Sequence, residues 1–234
     1  MRRWLPLAAA LASVAAARPG LEIRRAYEAL ERAIVARDVD AALTRVSSAS
    51  LEEWARLRQL ALRGSPEDVE ALPPGPRLAV LGVRHVAPVW LLRDGAPRDL
   101  AAHAVRAGLA DQRAVDRLDL ADVAVLDRQR ALGQLYAAGF PSGLRVGFVR
   151  EHDHESARER ESWRLDLAAT LAGVGRIVSQ VARTTGLPES RVILNLLEAI
   201  TNEPVTDAVW SPLAPELGPG PLDGFDKTET GTSP

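Results

Sequence analysis

No cysteine occurs in this 234-residue chain, which rules out disulfides, thiolate metal sites, a cysteine nucleophile and a lipid-modified cysteine anchor. Lysine is almost absent too: Lys227 is the one exception among 29 basic residues, the rest being arginine. These arginines alternate with acids, as in Glu22, Arg24, Arg25, Glu28, Glu31 and Arg32, which is the pattern of a solvated helix face with i,i+4 pairs. With a formal net charge of only -2, no nucleic-acid partner is expected. The glycine patterns of phosphate and dinucleotide loops, the nucleophile elbow and the zinc-protease helix are all missing, so no cofactor is expected. Apolar residues still make up 47% of the chain and charged residues 26%, so a core can be buried.

Both ends of the chain differ from its middle. Arg2 and Arg3 precede an apolar run from Trp4 to Ala17, which ends in three alanines before Arg18, Pro19 and Gly20. A charged start, an apolar run too short to span a bilayer of about 30 Å, and small residues at its end fit a secretory signal cleaved after Ala17, against the competing readings of an Ala-rich first helix packed on the domain or an uncleaved anchor. The expectation is a periplasmic or secreted bacterial protein with residues 1–17 removed and no stable membrane span afterwards. At the other end, residues 214–234 are rich in Gly, Pro and Thr and too poor in apolar groups to repay their ordering entropy, which predicts a disordered tail.

Between them, residues 18–213 read as one α+β domain. Tyr27, Leu30 and Ile34 share a stripe with Ala26 and Ala33 on a helix from Leu21 to Arg37, and Asp38 breaks and re-caps it before a short second helix with Val39, Ala42, Leu43 and Val46 turned inward. Ser50 with Glu53 suggests a capping box for the next helix, which Gly64 ends, and Ser65, Pro66 and Asp68 start another. Pro73 to Pro76 look like the firmest internal break; Leu78, Val80, Leu81 and Val83 after it could form a helix or a buried strand, and short helices up to Asp111 are the favoured reading, the clearest from Pro97 to Gly108.

The period then changes to two. Leu118 to Leu126, Arg130 to Ala138, Leu144 to Glu151 and Ser162 to Ala168 read as four strands of an antiparallel meander. Its turns are expected at Asp127 and Arg128, at Pro141 to Gly143, and over a charged loop from His152 to Glu161. Two apolar helices follow, Leu171 to Thr184 and Pro188 to Thr201, which could make a homodimer or docking surface, and Val205 to Leu213 should latch the end of the chain to the body. The fold expected is thus N-terminal helices packed on a curved four-stranded antiparallel sheet, with extra C-terminal helices.

The stretch Leu30 to Leu43 resembles the opening helix, acidic turn and second helix of the nuclear transport factor two-like superfamily, the cystatin-like, ketosteroid-isomerase type of fold. Leu144 to Glu151 with Ser162 to Leu167 is similar to that family's final hairpin, with Trp163 as the aromatic that starts the last strand. The resemblance implies a cone with a concave pocket, but no catalytic residue of any enzymatic member can be matched here.

Candidate chemistry is sparse. Tyr27, Trp54, Tyr136, Phe148 and Trp163, with Asp166, are the residues that could line such a pocket; plain core is the competing reading for the aromatics, and a cross-strand ladder with Arg164 and Arg150 for the acid. His152 and His154 alternate among acids and could ligate a divalent metal, against a solvated hairpin tip. Arg84 and His85 could be a cleft pair with His85 carrying protons, against a capped helix end. The function these readings favour is a non-enzymatic module binding a small apolar ligand or a protein partner. A cofactor-independent isomerase or hydrolase using Asp166 or His85, or a structural envelope protein, is the alternative.

Overall fold

The computed structural model describes residues 5–106, 118–152 and 161–214. The architecture is α+β: seven N-terminal helices, a four-stranded antiparallel sheet, two further helices and a short 3-10 turn among the described residues.

Helix α1 runs from Leu5 to Val35, starting well before the expected Leu21 and carrying Pro19 within it. It ends on Arg37 in the left-handed region (φ 55°), with Asp38 N donating to Ala33 O at 2.9 Å and Arg37 N to Ile34 O at 3.0 Å. That pair of bonds is the Schellman ending, built here without the usual glycine. Asp38 then caps α2 (Val39–Leu43) by accepting from Ala41 N.

Helix α3 (Ser48–Arg63) is capped by Ser47, whose hydroxyl accepts from Ser50 N, so Ser50 lies one turn inside rather than at the cap. Ser50 instead ties α3 to the end of the sheet, since its hydroxyl bonds Leu165 O at 3.0 Å and Leu167 N at 2.8 Å. Ser65 and Asp68 cap α4 (Pro66–Glu70) reciprocally, as their spacing predicts. The break expected over Pro73 to Pro76 is shorter than it looks, because Pro74 occupies the first turn of α5 (Pro74–Val86), where a missing N–H needs no acceptor. Two short helices, α6 (Val89–Asp94) and α7 (Pro97–Arg106), complete this half.

The sheet is a meander in the order β1 (Leu118–Val125), β2 (Arg130–Ala137), β3 (Phe140–His152) and β4 (Glu161–Asp166). Asp127 shapes the first turn by accepting from the N–H groups of Gln129 and Arg130. The second turn falls at Ala138 and Gly139, both at positive φ (50° and 82°), and not at Pro141 to Gly143. A two-residue turn of that hand matches the twist of the flanking strands. Pro141 to Gly143 instead lie inside β3, beside a register shift in its pairing with β2 and with Ser142 Oγ donating to Leu135 O. Of the charged loop, His152 and Glu161 pair across β3 and β4, while residues 153–160 lie outside the described residues. After α2, Arg45 to Ser47 run along the free edge of β4, with Leu165 N donating to Arg45 O and Ser47 N donating to Leu165 O.

Each sheet face meets a helix. Ile23 and Tyr27 of α1 pack with Ala131, Leu135, Val146, Phe148 and Trp163 on one face. On the other, α8 (Leu167–Thr185) crosses β3 so closely that a Cβ on Gly173 would sit 2.7 Å from Arg145 O. The expected last strand to Ala168 therefore stops two residues early, at Asp166, which caps α8. Gly186 (φ 71°) ends α8, and α9 (Glu189–Thr201) packs back on α5 and α8. The larger core lies in this helical half, among α3, α5, α8 and α9.

The latch expected over Val205 to Leu213 is present. Leu213 N and Ala214 N donate to Ala61 O and Leu62 O, and Ala214 is fully buried, so it belongs to the body and not to the tail. Residues 215–234 lie outside the described residues.

Candidate functional site

The aromatic residues picked out from the sequence do not gather in one place. Tyr27, Phe148 and Trp163 do meet, but as part of the packed cluster between α1 and the sheet, so α1 fills the face on which a concave pocket would open. Burial pushes the Tyr27 hydroxyl well above the usual phenol range, helped by Glu31 and Asp119, and it donates to Leu118 O at 3.3 Å. Tyr136 points to the other face and donates to Asp122 at 2.7 Å, a bond that raises its pKa in turn. Arg150 lies 5.9 Å from the Trp163 ring centroid.

Asp166 holds the start of α8 by accepting from Ala169 N at 3.1 Å. The charge ladder on the last hairpin runs through other acids: Arg164 faces Glu151 at 3.6 Å and Arg150 faces Glu161 at 3.1 Å. Glu151 in addition accepts from Ser48 N and Ser48 Oγ at the start of α3. His152 lies 3.6 Å from Glu161, His154 lies outside the described residues, and no group of three potential metal ligands gathers among the described residues.

Arg84 and His85 part company. The Arg84 guanidinium is 6% exposed and donates to five carbonyls, those of Leu60, Ala61, Gly64, Val209 and Trp210. Burial pushes its pKa down to about 10, which leaves it a cation at neutral pH. The end it caps is that of α3, where the helix dipole favours a positive charge. His85 turns the other way and shares a hydrogen bond with Thr201 at 3.2 Å.

Open space occurs instead within the helical layer. One pocket of about 170 Å³ lies among α3, α5, α7 and α9, bounded by Trp54, Gly82, Val86, Leu100, His103 and Ile200. Gly82 makes room here, since a Cβ on it would come within 3.3 Å of Leu197. A second, of about 160 Å³, lies among α1, α2, α3 and α7 and is closed by Leu165 and Leu167, with Leu30, Ile34, Ala42 and Ala101 among its walls. Trp54 lines both, and of the expected set it alone borders either of these two pockets. Of the other lining residues, Leu30, Ile34, Ala42, Leu43 and Val46 read in the sequence as an inward core face, and Gly82 and Ala101 are small residues with a faint signal, so neither group pointed to a pocket.

The chain is thus an α+β protein with two apolar pockets bordered by its helices. Comparisons with protein-family models, with curated proteins and with solved structures find no match. No helix among the described residues is long and apolar enough to cross a membrane.

Proposed function

We propose that this is an exported, non-enzymatic binding module that holds a small apolar ligand in its helical layer. The observation that carries the reading is the pair of apolar pockets bordered by Trp54. Each matches in size an engineered cavity of about 150 Å³ that accepts benzene, and each methylene removed from water gains about 0.8 kcal/mol. The alternative enzyme reading is weakened because its candidate groups have other duties, Asp166 as a helix cap and His85 as the partner of Thr201.

A helix laid across one face of an antiparallel meander supports membership of the nuclear transport factor two-like superfamily. In this reading α1 fills the concave face and the ligand site lies among the helices beside the sheet. Export is supported by the make-up of residues 2–20. After cleavage at Ala17, Pro19 would stand in the first turn of the mature helix.

Native mass spectrometry of protein purified gently from its host, compared with the same sample denatured, tests the ligand. A stoichiometric organic mass is expected; a bare chain that also takes up no added alkyl or aromatic probe overturns the reading. Amino-terminal sequencing tests export: a mature start at Arg18 is expected, and an intact Met1 on protein in the cytoplasm refutes it.

A further inference from the structure

Resting on the ligand-binding reading above, we infer that the two pockets are halves of one site for a linear amphiphile of about ten carbons with a single hydrogen-bonding head. Two elements span both halves. Trp54 borders each pocket, and α7 lines the first with Leu100 and His103 and the second with Ala101 and Val105. The half-buried Trp54 indole is the side chain common to both walls, and its rotation is the movement by which the two would join.

Both linings expose almost only apolar surface; His103 and Thr201 are the side chains of the first that could turn a polar atom towards a ligand, whereas the second is walled by aliphatic residues apart from the indole itself. A tail would lie towards Leu30, Ile34 and Leu165, and a hydroxyl or carboxylate would lie at His103. The size follows from volume. At about six heavy atoms per 150 Å³, as for benzene in its engineered cavity, the two pockets of about 170 and 160 Å³ hold about twelve.

Isothermal titration calorimetry of the full chain with alkan-1-ols from hexanol to dodecanol tests this. One site is expected, with affinity rising about three- to fourfold per methylene up to decanol and levelling beyond it. Ala101→Leu fills the second pocket and should cut decanol affinity at least tenfold while sparing hexanol; Gly82→Leu fills the first and should weaken both. If circular dichroism shows Gly82→Leu unfolded, Ala79→Leu fills the same space. His103→Ala should weaken decanol about fivefold without changing the gain per methylene. Two independent hexanol sites with no gain beyond six carbons would overturn the single-site inference and leave the ligand-binding reading standing. If no alkanol of any length binds, the ligand-binding reading falls and takes the inference with it.

Discussion

Replacing Arg84 by Met keeps most of the side-chain volume and removes every donor. All five guanidinium N–H groups have carbonyl partners in the folded chain, at 2.5 to 3.3 Å. Two of those carbonyls keep another donor: Leu60 O accepts from Gly64 N, and Ala61 O accepts from Leu213 N. The carbonyls of Gly64, Val209 and Trp210 lose the guanidinium, and a buried acceptor left unpaired costs about 1–3 kcal/mol. Removing a buried cation returns part of that sum, because its own desolvation penalty disappears. The balance is a loss of about 3–5 kcal/mol, or a fall in Tm of about 10 °C for a chain of this size. Thermal denaturation followed by circular dichroism reads the total, and hydrogen exchange over residues 205–214 reads where it falls. Arg98→Ala serves as the control: Arg98 pairs with Asp40 at the exposed surface, so its loss should cost under about 1 kcal/mol. An Arg84→Met protein within about 1 kcal/mol of wild type, with the 205–214 amides still protected, would refute the latch.

Gly75→Ala should destabilise by about 2 kcal/mol or more, because its Cβ would be driven into the Leu171 carbonyl where α5 crosses α8. Gly20→Ala, near the start of the mature α1 with nothing near the new methyl, should instead be neutral or gain up to about 0.5 kcal/mol; urea denaturation of both variants checks the contrast, and equal effects would refute the crossing. Ala138→Asn, which puts Asn-Gly into the second turn, should stabilise by up to about 1 kcal/mol in the same assay, whereas a turn at Pro141 to Gly143 would make it neutral. Both tyrosines ionise above their ordinary value of about 10, Tyr27 through burial and Tyr136 through its bond to Asp122. The fold therefore favours the neutral phenols, and the stabilisation this brings is intact below about pH 10 and lost as pH climbs beyond it. Phenolate absorbance should lag that of free tyrosine and rise together with unfolding; an ordinary titration in a chain that stays folded would contradict the burial of Tyr27.

Local signals in the sequence carried a good deal. Alternation at period two located all four strands, and Asp38, Ser65, Asp127 and Gly186 punctuate the chain where their side chains or φ angles require it. The errors arose where two local choices were nearly equal. Pro141 to Gly143 carry stronger turn residues than Ala138 and Gly139, yet the pairing of Ala137 with Phe140 decides the turn, and that pairing is a property of two strands together. Ser50 has the right spacing to Glu53 for a cap, but Leu165 and Leu167 claim its hydroxyl from 115 and 117 residues away. The candidate site was the least legible part. A void is defined by what surrounding elements fail to fill, and Trp54, Gly82 and Leu100 meet around one only after three separate helices have packed.

The sequence by itself determined the order and type of the elements, the α+β class and the solvated arginine faces, because helix and strand periods, caps and turns act over a few residues. Tertiary structure alone decided that α1 covers the aromatic face of the sheet, that α8 presses its glycines against β3 and α5, and that Arg84 spends its charge on carbonyls from two distant segments. Each of these depends on close approach between residues far apart in the chain, where packing volume and the pairing of buried polar groups outweigh any local preference.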